Sequence, residues 1–469
     1  MADVNNIFSN KKKSFFKHSQ EIERELKNDL RRICSNNGQN IDEDIVQEKY
    51  EELMNWLETS PRSTVLRANT SFNSSHELIK IIQKSCEDKD EDLSFSTFPK
   101  MPELIIVRKK DEPGIVKPTE IICQPKEAIV DAICGSAVLR GAHVFAPGVM
   151  GLSSGSKIGE LVSVFADVSG ACRKGLSKPF SEEKKFLGNG ILLQNRDSIF
   201  LGGGSGTGIA IRMTQTISRV PQLVEEDIPR GFGLLQNLPS IICSRILDPR
   251  PGETVLDVCA APGNKTTHLS CLMKNTGTLI ALEKIKSKIK RLENHCADFN
   301  CKNVRVFCFD STKSVNNLLE TIQKIEDGPP FCQGSFDKIL LDGPCSVLGK
   351  RPQILNKINH KELRSFVPLQ RRLFSAAVQL LTVGGILVYS TCTITISENE
   401  GIVAWALKTF PNLELMSARQ KYESLELGEF TVSPGYVVDG LAPDDADKVL
   451  RFGPESDSVG FFIASFRKR

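Results

Sequence analysis

Two cysteines that follow neighbouring predicted strands have the residue type and spacing for covalent chemistry. Cys345 lies in DGPCS, just after the apolar run DKILLD, and Cys392 lies in STCT, at the end of ILVYSTC. Because ligands of an open α/β sheet sit beyond the carboxyl ends of its strands, we expect both thiols in one cleft with the carboxylate of Asp342. A lone cysteine there would usually be a core residue. A pair beside a carboxylate predicts a nucleophile, since a thiolate becomes strongly reactive once its pKa is lowered.

A turn of small residues after the first strand of the same region predicts a ligand site. The strand TVLDVC runs directly into this turn, which ends at Gly263 and leads into a helix. Small residues let a ligand approach the backbone, and the helix N-terminus offers free N–H groups. The next three strands end in Glu283, Asp310 and Asp342. Glu283 follows Gly263 by 20 residues, where a doubly wound nucleoside site places the carboxylate that accepts the ribose hydroxyls.

Two phosphate-binding interpretations of this turn fail on its sequence. A Walker loop needs glycine immediately before Lys265, where Asn264 stands. A dinucleotide fingerprint needs three glycines, and Gly263 alone is present. A turn selected only for packing would leave the three carboxylates at the following strand ends unexplained. A nucleoside cofactor without phosphates, such as S-adenosylmethionine, is therefore the favoured prediction.

Five segments of the chain together resemble a known family. DVCAAPGNKT, ALEK, FCFD, DGPCS and STCT look like the successive motifs of the NSUN (Sun-domain) RNA cytosine-5 methyltransferases. The resemblance covers residues 230–469. Residues 120–212 resemble an inserted PUA RNA-binding module, a layout similar to the tRNA-methylating, PUA-containing branch of the family, and Arg67–Asn69 resembles the RxN segment of its N-terminal RNA-binding subdomain. Asn264, Glu283 and Gly343 depart from the usual Gly, Asp and Ala of these motifs.

The resemblance implies a mechanism and a partner. Cys392 would attack carbon-6 of an extruded cytosine, Cys345 would assist release, and Asp342, supported by Lys265, would bind the base edge. The substrate would be tRNA near its acceptor end, with messenger RNA as a further candidate, and no metal is expected. The alternative is a catalytically silent RNA-binding protein that retains this fold. The residues implied to hold S-adenosylmethionine are Cys259, Ala260, Ala261, Pro262, Gly263, Asn264, Lys265, Glu283, Asp310 and Asp342.

The elements that must position these residues alternate between strand and helix after Pro239. This alternation, with nearly continuous apolar strands, predicts an α/β, Rossmann-like, doubly wound sheet. A capping box at Ser397–Glu400 is expected to open one of its helices. The last strand, 459–466, is expected at the sheet edge or in a hairpin, and residues 411–458 are expected to be an irregular insertion.

The remaining chain predicts two further domains. Residues 1–112 are expected to form a helical and α+β N-terminal subdomain. Residues 113–212, with short β-branched runs between glycines, predict a small PUA-like β-barrel, although Glu127–Ala137 is expected to be helical. The methyltransferase domain would then span 213–469.

Composition restricts the function classes. With 60 Lys and Arg against 57 Asp and Glu, the net charge is only +3, so RNA binding would need a local basic face, for which Arg173 and Lys174 are candidates. The 14 cysteines contain no C-x-x-C pair, which excludes zinc ribbons and thioredoxin-like sites. No apolar run approaches 18 residues and no secretory signal is evident, so a cytoplasmic protein without membrane contact is expected.

Overall fold

The N-terminal part of the chain forms two helices and a small α+β unit. The computed structural model describes residues 16, 20–34, 42–87, 92–110, 121–200, 206–218, 220–316 and 324–469. The first elements are α1 (Gln20–Cys34), α2 (Glu43–Glu58), β1 (Thr64–Ala68), α3 (Ser75–Glu87), β2 (Leu93–Phe98) and β3 (Met101–Lys109).

The middle part forms a six-stranded sheet, in the order β5–β9–β8–β7–β4–β6. The expected helix over Glu127–Ala137 is wrong in its first half, because the β-branched run there pairs in parallel with β7 and the chain becomes helical only after Asp131. The predicted domain boundary at 112–113 lies outside the described residues. The elements are β4 (Glu127–Val130), α4 (Ala132–Val138), β5 (Val144–Phe145), β6 (Val149–Leu152), β7 (Leu161–Asp167), β8 (Lys184–Leu192), α5 (Arg196–Phe200) and β9 (Ile209–Thr216).

The C-terminal part alternates between strands and helices. Its first strand, β10, adds to the N-terminal sheet, whose order is β10–β1–β3–β2. The elements are β10 (Gly233–Leu235), α6 (Leu238–Leu247), β11 (Thr254–Asp257), α7 (Asn264–Leu272), β12 (Thr278–Glu283), α8 (Lys286–Asp298), β13 (Val304–Cys308), β14 (Phe336–Asp342), α9 (His360–Leu380), β15 (Leu381–Thr391), α10 (Glu400–Thr409), β16 (Leu413–Met416), α11 (Ala418–Glu423), α12 (Pro443–Ala446), β17 (Leu450–Phe452) and β18 (Phe461–Lys468).

The central sheet has the strand order β13–β12–β11–β14–β15–β18–β16, with β17 paired to β18. The strands from β13 to β15 are parallel to one another. Alternate residues of β11 point to opposite faces: Leu256 packs in a core with α9 and α10, and Val255 packs in another with α6 and α7. Helices therefore cover both faces, and the predicted doubly wound α/β fold is confirmed.

The last strand, β18, lies inside the sheet rather than at its edge. It pairs in antiparallel fashion with β15 on one side and with β16 on the other. Residues 461–466 are all buried, as expected of a strand covered on both faces. The expectation of an edge strand was wrong because β16, from the segment expected to be irregular, takes the outer position. The alternative, a hairpin, does form, since β18 pairs in antiparallel fashion with the preceding strand β17.

The predicted capping box at Ser397–Glu400 does not form. The helix begins at Glu400, and the preceding Asn399 makes no side-chain capping bond. The Glu400 carboxylate instead accepts two hydrogen bonds from the buried Arg451, at 2.7 and 2.9 Å. A buried ion pair with a bidentate arginine is stronger than a local capping bond. The Glu400 side chain is therefore not available to the capping box.

The helices α1 and α2 pack against the loops that follow β14 and β15. Ile22 of α1 and Trp56 of α2 share an apolar cluster with Leu348 and Ile394. The buried carboxylate of Asp29 accepts a hydrogen bond from the Ile396 N–H at 2.9 Å. The N-terminal helices therefore support the loops in which both cysteines lie.

Replacing Phe374 with alanine should strongly destabilise the central sheet. The Phe374 ring is fully buried and contacts the rings of Tyr389, Trp405 and Phe466. Its removal is expected to lower the free energy of unfolding by about 3–5 kcal/mol. Urea unfolding followed by tryptophan fluorescence measures this. Val383→Ala, at a side chain that is 73% exposed, should change it by less than about 0.5 kcal/mol. Equal midpoints for the two variants would contradict the described core.

Candidate active site

The pairing of β14 with β15 brings the two cysteines together. In this parallel pair Asp342 lies directly opposite Ser390. Cys345 follows Asp342 by three residues and Cys392 follows Ser390 by two, so both lie just beyond the carboxyl ends of these two strands. Their Sγ atoms lie 3.4 Å apart, within hydrogen-bonding distance for sulfur.

The two thiols have different surroundings. Cys345 is buried, whereas Cys392 is partly exposed. The hydrogen bond with Cys392, together with burial, raises the pKa of Cys345 well above its usual value. Cys345 therefore keeps its proton at neutral pH, and Cys392 is the more exposed of the two sulfurs.

An ion pair lies beside the thiols. Lys265 Nζ, at the start of α7, donates to Asp342 Oδ2 at 2.7 Å, and Ser390 Oγ donates to Asp342 Oδ1 at 2.7 Å. Burial alone would lower the pKa of Lys265, but the Asp342 carboxylate outweighs it and holds this pKa above its usual value. Lys265 thus keeps its charge in a partly buried place, beside a carboxylate that two hydrogen bonds hold in position.

The small-residue turn between β11 and α7 has its glycine where the backbone requires one. Gly263 adopts φ +108°, a conformation that other residues rarely adopt, and a Cβ there would meet Leu292 Cδ1 at 2.9 Å. As the residue preceding α7, it provides no side-chain cap for the first N–H groups of the helix. Ala261 and Asn264 are half-buried and Pro262 is exposed, whereas Ala260 is buried.

The thiol of Cys259, at the start of the turn, is not a nucleophile. Burial, followed by the charge of Asp257, raises the pKa of Cys259 well above its usual value. In the predicted cofactor site Cys259 would therefore be a small, uncharged residue.

Two further predicted residues are Glu283, the last residue of β12, and Asp310, which follows the last residue of β13 by two positions. Glu283 is buried, and its Oε1 accepts the Ile285 N–H at 2.7 Å, which fixes the carboxylate at the strand end. Asp310 accepts from Thr312 and pairs with Lys284 at 2.9 Å. Burial by itself would raise the pKa of Asp310, but the bonds from Lys284 and Thr312 together outweigh it and lower the pKa overall. A ligand amino group that bonds to Asp310 would share this carboxylate with Lys284, whose side chain is 70% exposed.

Asp257, at the end of β11, is a site residue that the sequence analysis did not include. It is buried, accepts from Thr266 Oγ1 at 2.8 Å, and burial raises its pKa to about 7. The neighbouring charges of Asp342 and Lys265 act on it in opposite directions. Its position at a strand end was not visible in the sequence, because the predicted strand TVLDVC runs on to Cys259, whereas β11 ends at Asp257.

The RxN segment faces the protein interior. Arg67 is 1% exposed and Asn69 is 3% exposed, so neither is available to an external RNA strand. Arg67 Nη2 donates to Thr267 Oγ1 at 2.7 Å, and this hydroxyl reaches the Gly263 carbonyl at 3.0 Å. Arg67 therefore joins the N-terminal sheet to the small-residue turn.

Comparisons with known proteins agree with this geometry. Residues 244–467 match a family model described as 16S rRNA methyltransferase RsmB/F. Over 90% of its length the chain is 41% identical to the human tRNA (cytosine(72)-C(5))-methyltransferase NSUN6, 92% of which is covered. The corresponding mouse protein is 40% identical, with 90% of each chain covered. The chain belongs to the NSUN family of RNA cytosine-C5 methyltransferases.

A solved structure of the family extends the likeness to the whole fold. The crystal structure of NSun6 from Pyrococcus horikoshii with SFG, an analogue of S-adenosylmethionine, has a TM-score of 0.70 and 26% sequence identity. It covers 95% of this chain and 98% of that one. The tRNA (cytosine(72)-C(5))-methyltransferase from the same organism is 30% identical over 427 residues.

The cofactor of this family fits the residues present. S-adenosylmethionine carries an amino-acid end, a ribose and an adenine, and none of these is a phosphate. The uncapped N–H groups at the start of α7 suit a carboxylate, and the buried Glu283 suits a pair of hydroxyls. Within the described residues no group of three or more His, Cys, Asp or Glu side chains could hold a metal ion.

The charge state of Asp257 should make stability depend on pH. The folded pKa, about 7, lies above the ordinary value of 3.8, so between these values the folded protein binds the extra proton. The contribution of Asp257 is therefore complete at low pH and is lost as pH rises towards 7, by up to about 1.4 kcal/mol per pH unit.

Urea unfolding of the wild type and Asp257→Asn between pH 5.5 and 8.5 tests this expectation. The wild type should lose stability relative to the variant up to about pH 7, after which the difference should become constant. A difference that is constant throughout would show that the folded pKa of Asp257 is not raised.

Proposed function

We propose that this protein transfers a methyl group from S-adenosylmethionine to carbon-5 of a cytosine near the acceptor end of tRNA. The observation that carries the proposal is the thiol pair, 3.4 Å apart, beside the Lys265–Asp342 ion pair. Cytosine carbon-5 is a poor nucleophile until a sulfur adds to carbon-6, so the reaction needs a thiol in the cleft. The human, mouse and P. horikoshii relatives are named for cytosine 72, and we propose the same nucleotide here.

Cys392 is the nucleophile in this proposal. It is the more exposed of the two thiols, and its sulfur can meet carbon-6 of a base extruded from its stack. Release transfers the carbon-5 proton to water and breaks the bond between carbon-6 and Cys392 Sγ. Cys345 assists this step, because its retained proton lies on the sulfur 3.4 Å from the one that must leave. A hydrogen bond to the departing thiolate stabilises the charge that develops on it.

The ion pair positions and polarises the base. Asp342 accepts from Lys265 and Ser390 and presents its carboxylate beside Cys392, where it can bind the edge of cytosine. Because both partners are held before the base arrives, the charge that develops on the ring meets an already oriented environment.

The cofactor residues lie at the ends of β11, β12 and β13. Glu283 would hold the ribose, Asp310 the adenine amino group, and residues 259–265 the amino-acid end. S-adenosylmethionine, when bound, supplies an electrophilic methyl group on a positively charged sulfur. The carboxylates of Glu283 and Asp310 suit the hydroxyl and amino donors of this ligand.

A catalytically silent RNA-binding protein is the disfavoured alternative. Such a protein would need neither a pair of thiols in contact nor a buried lysine that donates to the carboxylate of Asp342. Both are intact here.

Single cysteine variants should separate attack from release. Bisulfite sequencing of tRNA incubated with enzyme and cofactor should show methylation with the wild type. Cys392→Ala should reduce it roughly 1,000-fold or more, because no covalent adduct can form. Cys345→Ala should accumulate a protein–tRNA adduct that survives denaturing electrophoresis, whereas Cys392→Ala should form none. An adduct with Cys392→Ala would reverse the two roles. The same sequencing of messenger RNA tests that second substrate.

A basic pair in the PUA-like region should contribute to tRNA binding. Arg173 and Lys174 are adjacent and exposed. Replacing both with alanine should weaken binding and reduce the slope of log affinity against log salt by about 2, because two phosphate contacts are lost. Lys408→Ala is the control, since this exposed residue lies at the end of α10 that is remote from the cysteines. Equal slopes for the double variant and the control would exclude this face.

We also propose that the protein works in the cytoplasm. All 14 cysteines lie in described residues and none forms a disulfide, which suits a reducing compartment. In the part of the chain that the structure describes, no helix is long and apolar enough to cross a membrane.

A further inference from the structure

A fully buried carboxylate, Glu398, lies between the two loops that contain the cysteines. It belongs to the segment for which a capping box was expected, yet its side chain turns into the protein and is 0% exposed. Burying an ionised carboxylate is costly unless hydrogen bonds compensate for the lost water. Its partners therefore indicate what the residue is for.

Four donors from three places in the chain satisfy this carboxylate. Oε2 accepts from the Ser346 N–H at 3.0 Å and from Gln370 Nε2 at 2.9 Å. Oε1 accepts from Ser346 Oγ at 2.5 Å and from Thr395 Oγ1 at 3.0 Å. Ser346 directly follows Cys345, and Thr395 follows Cys392 by three residues. One carboxylate thus binds both cysteine loops.

One further contact joins the two loops, and another joins the Cys345 loop to α9. Ser346 Oγ lies 2.6 Å from Thr393 Oγ1, so the residues that follow the two cysteines share a hydrogen bond. Gln370 also donates to the Pro344 carbonyl at 3.0 Å, on the other side of Cys345. The charge of Glu398 adds to the hydrogen bond and burial that raise the pKa of Cys345.

We propose that Glu398 is a positioning residue that sets the separation of the Cys345 and Cys392 sulfurs and thereby controls release of the methylated base. The proposal rests on the function proposed above. Both carboxylate oxygens accept two hydrogen bonds, and an amide can accept at one atom only. In Glu398→Gln the hydroxyls of Ser346 and Thr395 can turn to accept from the new NH₂ group. An N–H···O bond, however, needs about 2.7–3.2 Å, which is longer than the 2.5 Å between Ser346 Oγ and Glu398 Oε1, so the Cys345 loop would have to move.

The sulfur separation can be measured without RNA or cofactor. Diamide, a diazene oxidant, takes two electrons and two protons from a neighbouring thiol pair, which becomes a disulfide, and is itself reduced to a hydrazine. Peptide mass spectrometry can follow the Cys345–Cys392 disulfide with time. We expect Glu398→Gln to slow its formation at least fivefold.

The second measurement is turnover. Glu398→Gln should lower kcat for tRNA methylation tenfold or more and leave KM for tRNA and cofactor within twofold. It should also accumulate the denaturation-resistant protein–tRNA adduct, because attack by Cys392 precedes the impaired release. A residue with a merely structural role would raise KM and lower adduct formation together.

Asp29→Asn is the matched control. Asp29 is also a buried carboxylate and also bonds the Cys392 loop, through the Ile396 N–H, and an amide oxygen can still accept that single bond. This variant should remain within twofold of the wild type in disulfide formation and kcat. Circular dichroism checks that the variants are folded. If Glu398→Gln does not fold, Ser346→Ala, which removes one bond to Glu398 and the bond to Thr393, should show the same slower disulfide formation and adduct accumulation.

Disulfide formation at the wild-type rate in a folded Glu398→Gln or Ser346→Ala variant would overturn the proposal, as would an equal slowing in Asp29→Asn. A different result would refute the proposed function. If the wild-type protein forms the disulfide normally but methylates no tRNA, the activity is refuted, whereas the variants still show whether Glu398 sets the separation of the two sulfurs.

Discussion

The parallel pairing of β14 with β15 is the constraint on which the site depends. It places Asp342 opposite Ser390, so the loops that follow β14 and β15 both begin at the carboxyl end of the sheet. A slip of one residue in this register would turn Ser390 to the other face of its strand. The 3.4 Å contact between the sulfurs and the hydrogen bond from Ser390 to Asp342 would then be lost. The apolar faces of both strands, packed under helices on both sides, hold the register.

At the carboxyl ends of these strands the protein buries charged side chains and compensates each of them with an ion pair or hydrogen bonds. Asp257, Lys265 and Asp342 lie within one polar cluster, in which Lys265 compensates the charge of Asp342 and burial raises the pKa of Asp257 to about 7. Glu398 is compensated differently, by neutral donors from both cysteine loops. Fixed charges and satisfied hydrogen bonds cost stability to assemble, but they provide an environment that does not need to reorganise when charge develops on a substrate.

The sequence predicted the sheet and the residues at its strand ends because both depend on local patterns. Continuous apolar runs mark buried strands, and parallel strands bring their ends to one edge, so Cys345, Cys392 and Asp342 could be placed together. Their roles in the reaction stay a prediction. Features that depend on partners distant in the sequence were not predictable. The strand β18 is internal because β16 pairs on its outer side. Glu400 forms an ion pair with Arg451 instead of the expected capping box. The sequence places Glu398 at a helix start for the same reason, since three of its four donors come from residues 28 and 52 positions away.

The identity of the attacking sulfur is the central claim, and a trapped adduct tests it most directly. A tRNA acceptor stem with 5-fluorocytosine at the target position cannot lose a proton from carbon-5 after methyl transfer, so the covalent complex persists. Peptide mass spectrometry of that complex should find the nucleotide on Cys392, with Cys345 unmodified. A nucleotide attached to Cys345, or an RNA that remains unattached while it is methylated, would contradict the account.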